Sequence, residues 1–149
     1  MVMVRSRKSL DWLSMAEDDL RDALRDYEAG SYASVVYHAE LASQKALKAI
    51  ITALGFEPIK THKPTLQLKG LIAGGLIQLE KHIMDKLQNI ISYAISLEDQ
   101  GTIPRYGWET VNRIIKPSEI YDKEKARALL DNAEYVVRSI SDILGEIDC

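Results

Sequence analysis

The residues of this 149-residue chain that could act on an anion fall in two broken segments and on one helix. His62 stands between Thr61 and Lys63, in a segment interrupted by Gly55, Pro58 and Pro64. Arg105 and Tyr106 follow Pro104 in a second segment, interrupted by Gly101, Gly107 and Pro117. Lys45 and Lys48 lie about one helical turn apart in an alanine-rich run. Guanidinium and ammonium groups hold phosphate oxygens, and a tyrosine can stack or donate its hydroxyl. A histidine there can contact the ligand or fix a loop. Lys45, Lys48, His62, Arg105 and Tyr106 are therefore the candidate ligand-binding set, if the two segments meet at one end of the fold. The competing reading has His62 capping a helix and Arg105 paired with a carboxylate.

Other chemistries find less support. His38, His62 and His82 sit in separate segments, with no His-x3-His and no Glu-x-x-His spacing, so no metal site is expected. The single cysteine, Cys149, excludes an intrachain disulfide and a Cys-rich zinc site, and is expected to be frayed. Composition allows a Ser-His-Asp set, but there is no nucleophile elbow, phosphate-binding loop or dinucleotide fingerprint, and no cofactor is expected. Nineteen basic against 22 acidic side chains give a net charge of −3, which speaks against broad nucleic-acid binding. No run of apolar residues is long enough for a membrane span or a leader peptide. With no disulfides, a cytoplasmic location is expected.

The elements that must position these residues read as helices, without strand alternation. Apolar residues recur at steps of three and four over about 9–29, 31–54, 76–97 and 122–147, and a short helix fits 65–73. Ser9 is the expected first N-cap, and Gly30 and Gly55 end the first two helices. The break at Gly30 is short enough to force an antiparallel hairpin. Residues 55–64 and 98–121 are the two long connections, the second with a helical turn expected around 108–115. The fold class is thus all-α: an up-and-down antiparallel bundle of four long helices plus one or two short ones, in a single domain with a flexible tail at 1–8. Residues 51–75 carry a net charge of +2 and residues 117–149 a net charge of −4, which reads either as two solvated surfaces or as a positive loop facing an anionic ligand while the acidic helix faces water.

The second helix has two faces. Tyr32, Val35, Ala39, Ala42, Ala46, Ala49, Ile50 and Ala53 form an alanine-rich stripe that lets a neighbour approach closely. Opposite it, Tyr37, Glu40, Leu41, Gln44 and Lys48 fall within about 100° of arc. Tyr and Leu do not favour a wholly wet surface, so Tyr37, Glu40, Leu41 and Gln44 are candidates for a subunit interface or a pocket wall. The alternative is that another part of the same chain covers them.

Taken in order, these segments resemble the HEPN domain family (higher eukaryote and prokaryote nucleotide-binding). Residues 37–49, Tyr-His-Ala-Glu-Leu-Ala-Ser-Gln-Lys-Ala-Leu-Lys-Ala, resemble the family's second helix, with Gln44 where Glu is usual. Trp12-Leu13 through Asp18-Asp19-Leu20-Arg21-Asp22-Ala23, then Gly30-Ser31-Tyr32, resembles its first helix and turn. Thr61-His62 followed by Leu66 and Leu68 resembles its Thr-His-x-Leu loop. Pro104-Arg105-Tyr106 resembles its Arg-Tyr-Pro turn, with Gly107 in place of proline.

The resemblance implies a helical bundle, commonly a homodimer, with a minimal nucleotidyltransferase as partner, often in a toxin–antitoxin module. Nucleotide binding is implied for the family, and metal-independent ribonuclease activity for branches carrying Arg-x4-6-His. Here the positions five to seven residues before His38, His62 and His82 hold no arginine, and those after Arg105 hold Thr110, Val111 and Asn112. The expected function is therefore a non-catalytic module binding a nucleotide or other phosphate ligand, a minimal nucleotidyltransferase, or both. The alternatives are a ribonuclease toxin with a degenerate site and a purely structural dimer scaffold.

Overall fold

The computed structural model describes residues 3–147, so Cys149 and its expected fraying lie outside the described residues. The first helix, α1 (Arg7–Glu28), starts two residues before the expected position. Ser6 is its N-cap, accepting the Ser9 N–H at 3.2 Å, while the buried Ser9 hydroxyl donates back to the Ser6 carbonyl at 2.7 Å. Residues 3–8 do not form the free tail expected for them. Met3 is buried, the Val4 N–H donates to the Ala53 carbonyl at 2.8 Å, and Arg5 donates to the Leu144 carbonyl. An apolar side chain with a place in the core holds this segment down.

Helix α2 (Tyr32–Ala53) follows through Gly30, whose φ of 75° lets the chain reverse. The hairpin is clasped by Asp26, which accepts from the Ser34 hydroxyl and bonds His38 Nδ1, each at 2.7 Å. Serine and imidazole Nδ1 address the same carboxylate oxygen. That is a clasp and not a nucleophilic relay, which needs the serine on the Nε2 side. Val35, Val36, Ala39, Ala42, Ala46, Leu47, Ala49, Ile50 and Ile51 have no exposed surface, so α2 is buried on most sides and forms the axis of the core.

Helix α3 (Pro64–Ala73) is short, and helix α4 (Lys81–Glu98) begins later than expected. Residues 76–80 are extended instead. Leu76 and Gln78 face out while Ile77 is buried, a period of two that a three-four reading of the apolar residues mistakes for helix. After a single turn, α5 (Ile103–Tyr106), strands β1 (Trp108–Glu109) and β2 (Ile114–Ile115) pair antiparallel, Trp108 opposite Ile115. This hairpin replaces the helical turn expected around 108–115. Gly107, at φ 74°, turns the chain out of α5, and Thr110 and Arg113 close the loop by exchanging hydrogen bonds. A Cβ on Gly107 would lie 2.1 Å from the Ile115 carbonyl oxygen, so only glycine fits.

A second single turn, α6 (Pro117–Ile120), leads to α7 (Lys123–Gly145), capped by Asp122, which accepts the Lys125 N–H at 2.8 Å. Helix α7 packs against α1, α2 and α4, which is why Leu130, Val137 and Leu144 are buried as well as Ala126, Ala133, Val136, Ile140 and Ile143. Helices α1, α2, α4 and α7 make the up-and-down antiparallel bundle. Among the described residues no helix is long and apolar enough to cross a membrane.

The close approach along α2 depends on its alanines. Ala46→Leu adds three carbons where no surface is exposed, and is expected to cost about 1–3 kcal/mol, read as a lowered urea midpoint. An unchanged midpoint would show room beside α2 that this packing does not have.

Candidate functional site

The two long connections converge. Thr65, at the start of α3, donates both its N–H (3.1 Å) and its hydroxyl to the carboxylate of Glu98, in the last turn of α4. Glu98 is buried, and burial raises its carboxyl above the ordinary value although both Thr65 bonds pull the other way. This bond fastens the end of loop 55–64 beside the start of loop 98–121. Both then lie across the polar face of α2.

The larger void there is an open groove of about 410 Å3, lined by Trp12, Leu41, Gln44, Lys45, Lys48, Lys60, Thr61 and His62. No carboxylate lines it. Lys45 is neutralised by Asp19, 2.6 Å away. Lys48 lies over the Trp12 ring, 5.3 Å from its centroid. Burial, and then the charge of Lys45, lower the Lys48 ammonium below its ordinary value. Among the described residues neither Lys48 nor Lys60 has a carboxylate partner. A groove of about 360 Å3 between α1 and α7 contrasts with it: Glu17 and Asp142 there offset Arg21 and Arg138.

Beside the cationic groove, and sharing Gln44 and His62 with it, is a narrow cleft of about 80 Å3. Its other lining residues are Glu40, Lys63, Glu98, Gly101, Thr102 and Arg105. His62 Nδ1 is 3.3 Å from the Gln44 side-chain oxygen. Glu40 is only 5% exposed, and its Oε1 has no hydrogen-bond partner among the described residues. Burial pushes its carboxyl up to about 8, with Arg105 pulling it back. Tyr121, whose hydroxyl donates to Gln100 at 2.8 Å, is pushed up to about 12 by burial and by the charge of Glu40.

His62 thus joins both voids, with Lys45 and Lys48 on one side and Arg105 on the other. The capping alternative for His62 fails, because α3 has Lys63 at its N-cap and no side-chain cap. The pairing alternative for Arg105 fails too: its guanidinium lies over the rings of Tyr37 and Tyr106, 5.3 and 5.5 Å from their centroids. Tyr106 lines neither void and is 69% exposed. Of the interface candidates, Tyr37 and Leu41 are half-buried, while Glu40 and Gln44 are buried within the chain. Trp12, Lys60, Thr65 and Glu98 join the site without having been singled out. Trp12 and Lys60 were visible as an aromatic on the first helix and a charge in the basic loop. Nothing in the spacing marked the bond between Thr65 and Glu98. Among the described residues no group of three or more His, Cys, Asp or Glu could hold a metal ion.

The chain is similar to known proteins in family and fold. The HEPN domain family model matches residues 9–143. A protein of Methanocaldococcus jannaschii named "Putative toxin MJ1304" is 30% identical over 135 residues, covering 91% of this chain and 87% of that protein. The crystal structure of TT1696 from Thermus thermophilus superposes with a TM-score of 0.71 at 20% identity, covering 92% of this chain and 98% of that one. ST0689, an archaeal HEPN homologue, gives 0.66 at 21% identity, with 93% and 99% covered. A HEPN domain protein from Thermotoga maritima gives 0.61 at 21% identity, with 92% and 99% covered. At these identities the solved structures show the fold.

The buried carboxyl of Glu40 links stability to pH. Its folded value of about 8 lies above the ordinary 4.5, so its share of stability is complete below about 4.5 and is lost as pH rises through about 8. Glu40→Gln removes the titration. At pH near 7.5 the variant is expected to be more stable than the parent by about 1–3 kcal/mol, and at pH near 4 equal to it. Denaturation curves at both values check this, and an equal gap at both would contradict it.

Proposed function

This chain belongs to the HEPN domain family, and we propose that it is a non-catalytic member that holds a nucleotide or similar phosphate ligand in the groove along α2. The observation that carries this reading is the groove's charge of one sign beside an aromatic wall. Among the described residues Lys48 and Lys60 have no carboxylate partner, Trp12 offers a ring face, and His62 closes the end. Ammonium groups over an aromatic face suit phosphates next to a base. Arg105, at the adjoining cleft, would serve the same ligand. The absence of Arg-x4-6-His is why the role is binding and not cleavage. We propose a homodimer, with the half-buried Tyr37, outside the groove, at the contact with a second subunit, and a minimal nucleotidyltransferase as partner.

A second reading, a toxin, is favoured by the relative named as one and by His62 and Arg105 sharing a cleft without being close in sequence. Both readings fit a toxin–antitoxin context. They separate on expression of the chain alone. A toxin with residual ribonuclease activity arrests growth and is relieved by His62→Ala or Arg105→Ala, whereas a harmless protein that leaves RNA intact removes that reading.

Calorimetric titration with ATP and GTP tests the binding role. Saturable heat is expected, and Lys48→Gln with Lys60→Gln should weaken binding at least tenfold, about 1.4 kcal/mol. No heat from a folded protein with either nucleotide would overturn it.

A further inference from the structure

Glu40 is unused by the groove, yet it is the most perturbed polar group at this end of the molecule. It is nineteen-twentieths buried, lines the narrow cleft, and has one carboxyl oxygen without a partner. An orphaned buried acceptor costs stability unless something arrives to bond it. The groups around it come from every neighbouring element. Arg105 of α5 is cationic, and His62 and Lys63 come from loop 55–64. Glu98 of α4 is occupied by both donors of Thr65, and Tyr121 faces Glu40 from beyond α6 with its hydroxyl committed to Gln100. Gln44 is the neighbour on α2 itself, held against His62. The cleft is therefore lined by two cationic side chains, a histidine, the Thr102 hydroxyl, a carboxyl that burial keeps protonated near neutral pH, and the Glu98 carboxyl, whose oxygens are taken by Thr65. Its volume of about 80 Å3, against about 410 Å3 for the groove, leaves room for one tetrahedral oxyanion and too little for a nucleoside.

We propose that this cleft is a second anion subsite, in which Arg105, Lys63 and His62 hold one phosphoryl-sized oxyanion and protonated Glu40 donates its carboxyl hydrogen to it. The inference rests on the groove reading and sharpens it. The two voids share Gln44 and His62, so the ligand class is a nucleotide carrying more than one phosphoryl group, one in each void. It also sets a direction for pH. An anion beside Glu40 offsets the pull of Arg105 and opposes a carboxylate, so binding takes up a proton from solvent where Glu40 is ionised. Affinity falls as pH rises through about 8.

Sulfate is the probe, because it stays a dianion throughout this range. Binding is followed by amide chemical shifts, Gly101 and Thr102 reporting the cleft, Lys60 and Thr61 the groove. Between pH 7 and pH 9 sulfate affinity at the cleft should fall about tenfold in the parent protein, which follows from a carboxyl value of about 8. In Glu40→Gln, which keeps a donor and cannot titrate, it should stay level. Lys48→Arg keeps the groove charged at pH 9 and should fall as the parent does, which separates Glu40 from the lowered Lys48. If Glu40→Gln does not give a folded spectrum, Arg105→Met replaces it, and the cleft response should vanish while the groove response persists. A level parent, the same fall in Glu40→Gln, or cleft shifts that survive Arg105→Met would overturn the subsite. Groove shifts with ADP and none at the cleft would overturn it while leaving the groove reading standing. Silence at both would overturn both.

Discussion

The bond from Thr65 to Glu98 is the constraint on which the site depends. One carboxylate takes a backbone N–H and a hydroxyl from a residue 33 positions away, and does so in the buried interior. Two donors are what make a buried carboxylate tolerable there. Their geometric consequence is larger than their energy. With Thr65 fixed to the end of α4, loop 55–64 cannot swing away from loop 98–121, and His62 and Arg105 must line one cleft. Without that bond the same residues would belong to two unrelated surface loops.

Helix α2 supplies the other half of the arrangement. Its apolar sides give the bundle its core, and its remaining face carries Glu40, Gln44, Lys45 and Lys48 under the two loops. The loops cover Glu40 and Gln44 but leave the lysines at the edge of solvent. Burial acts oppositely on the two kinds of charge. It makes the carboxyl hold its proton and makes the ammonium of Lys48 easier to discharge. Near neutral pH the result is a surface from which negative charge has been withdrawn, within a chain whose net charge is negative. Asp19 and Glu98 are the exceptions, Asp19 spent on Lys45 and Glu98 on the two donors of Thr65.

How much of this could be read from the sequence varies with the kind of interaction. The four long helices follow from periodicity, because their buried faces repeat over many turns. The short extended stretch at 76–80 and the hairpin at 108–115 do not, because a few residues cannot separate a period of two from one of three or four. The hairpin is selected by Gly107, whose conformation and contact with the Ile115 carbonyl are tertiary facts. His62 with Lys45 and Lys48, and Arg105 beside them, were legible as types suited to an anion. The placement of Tyr106 was not, since its ring is taken by Arg105 and turned away from both voids. Glu40 and Gln44 were legible as an unusual polar face but not as a covered one, because the loops that cover them are positioned by Thr65 and Glu98.

The HEPN bundle is proposed to present an anion site on the polar face of α2, assembled by two converging loops. A crystal structure of the protein grown with ADP tests that claim most directly. The account predicts phosphate density between Lys48, Lys60 and His62, reaching toward Arg105, with the base against Trp12. ADP bound instead in the groove between α1 and α7, or with its phosphates away from both loops, would contradict it.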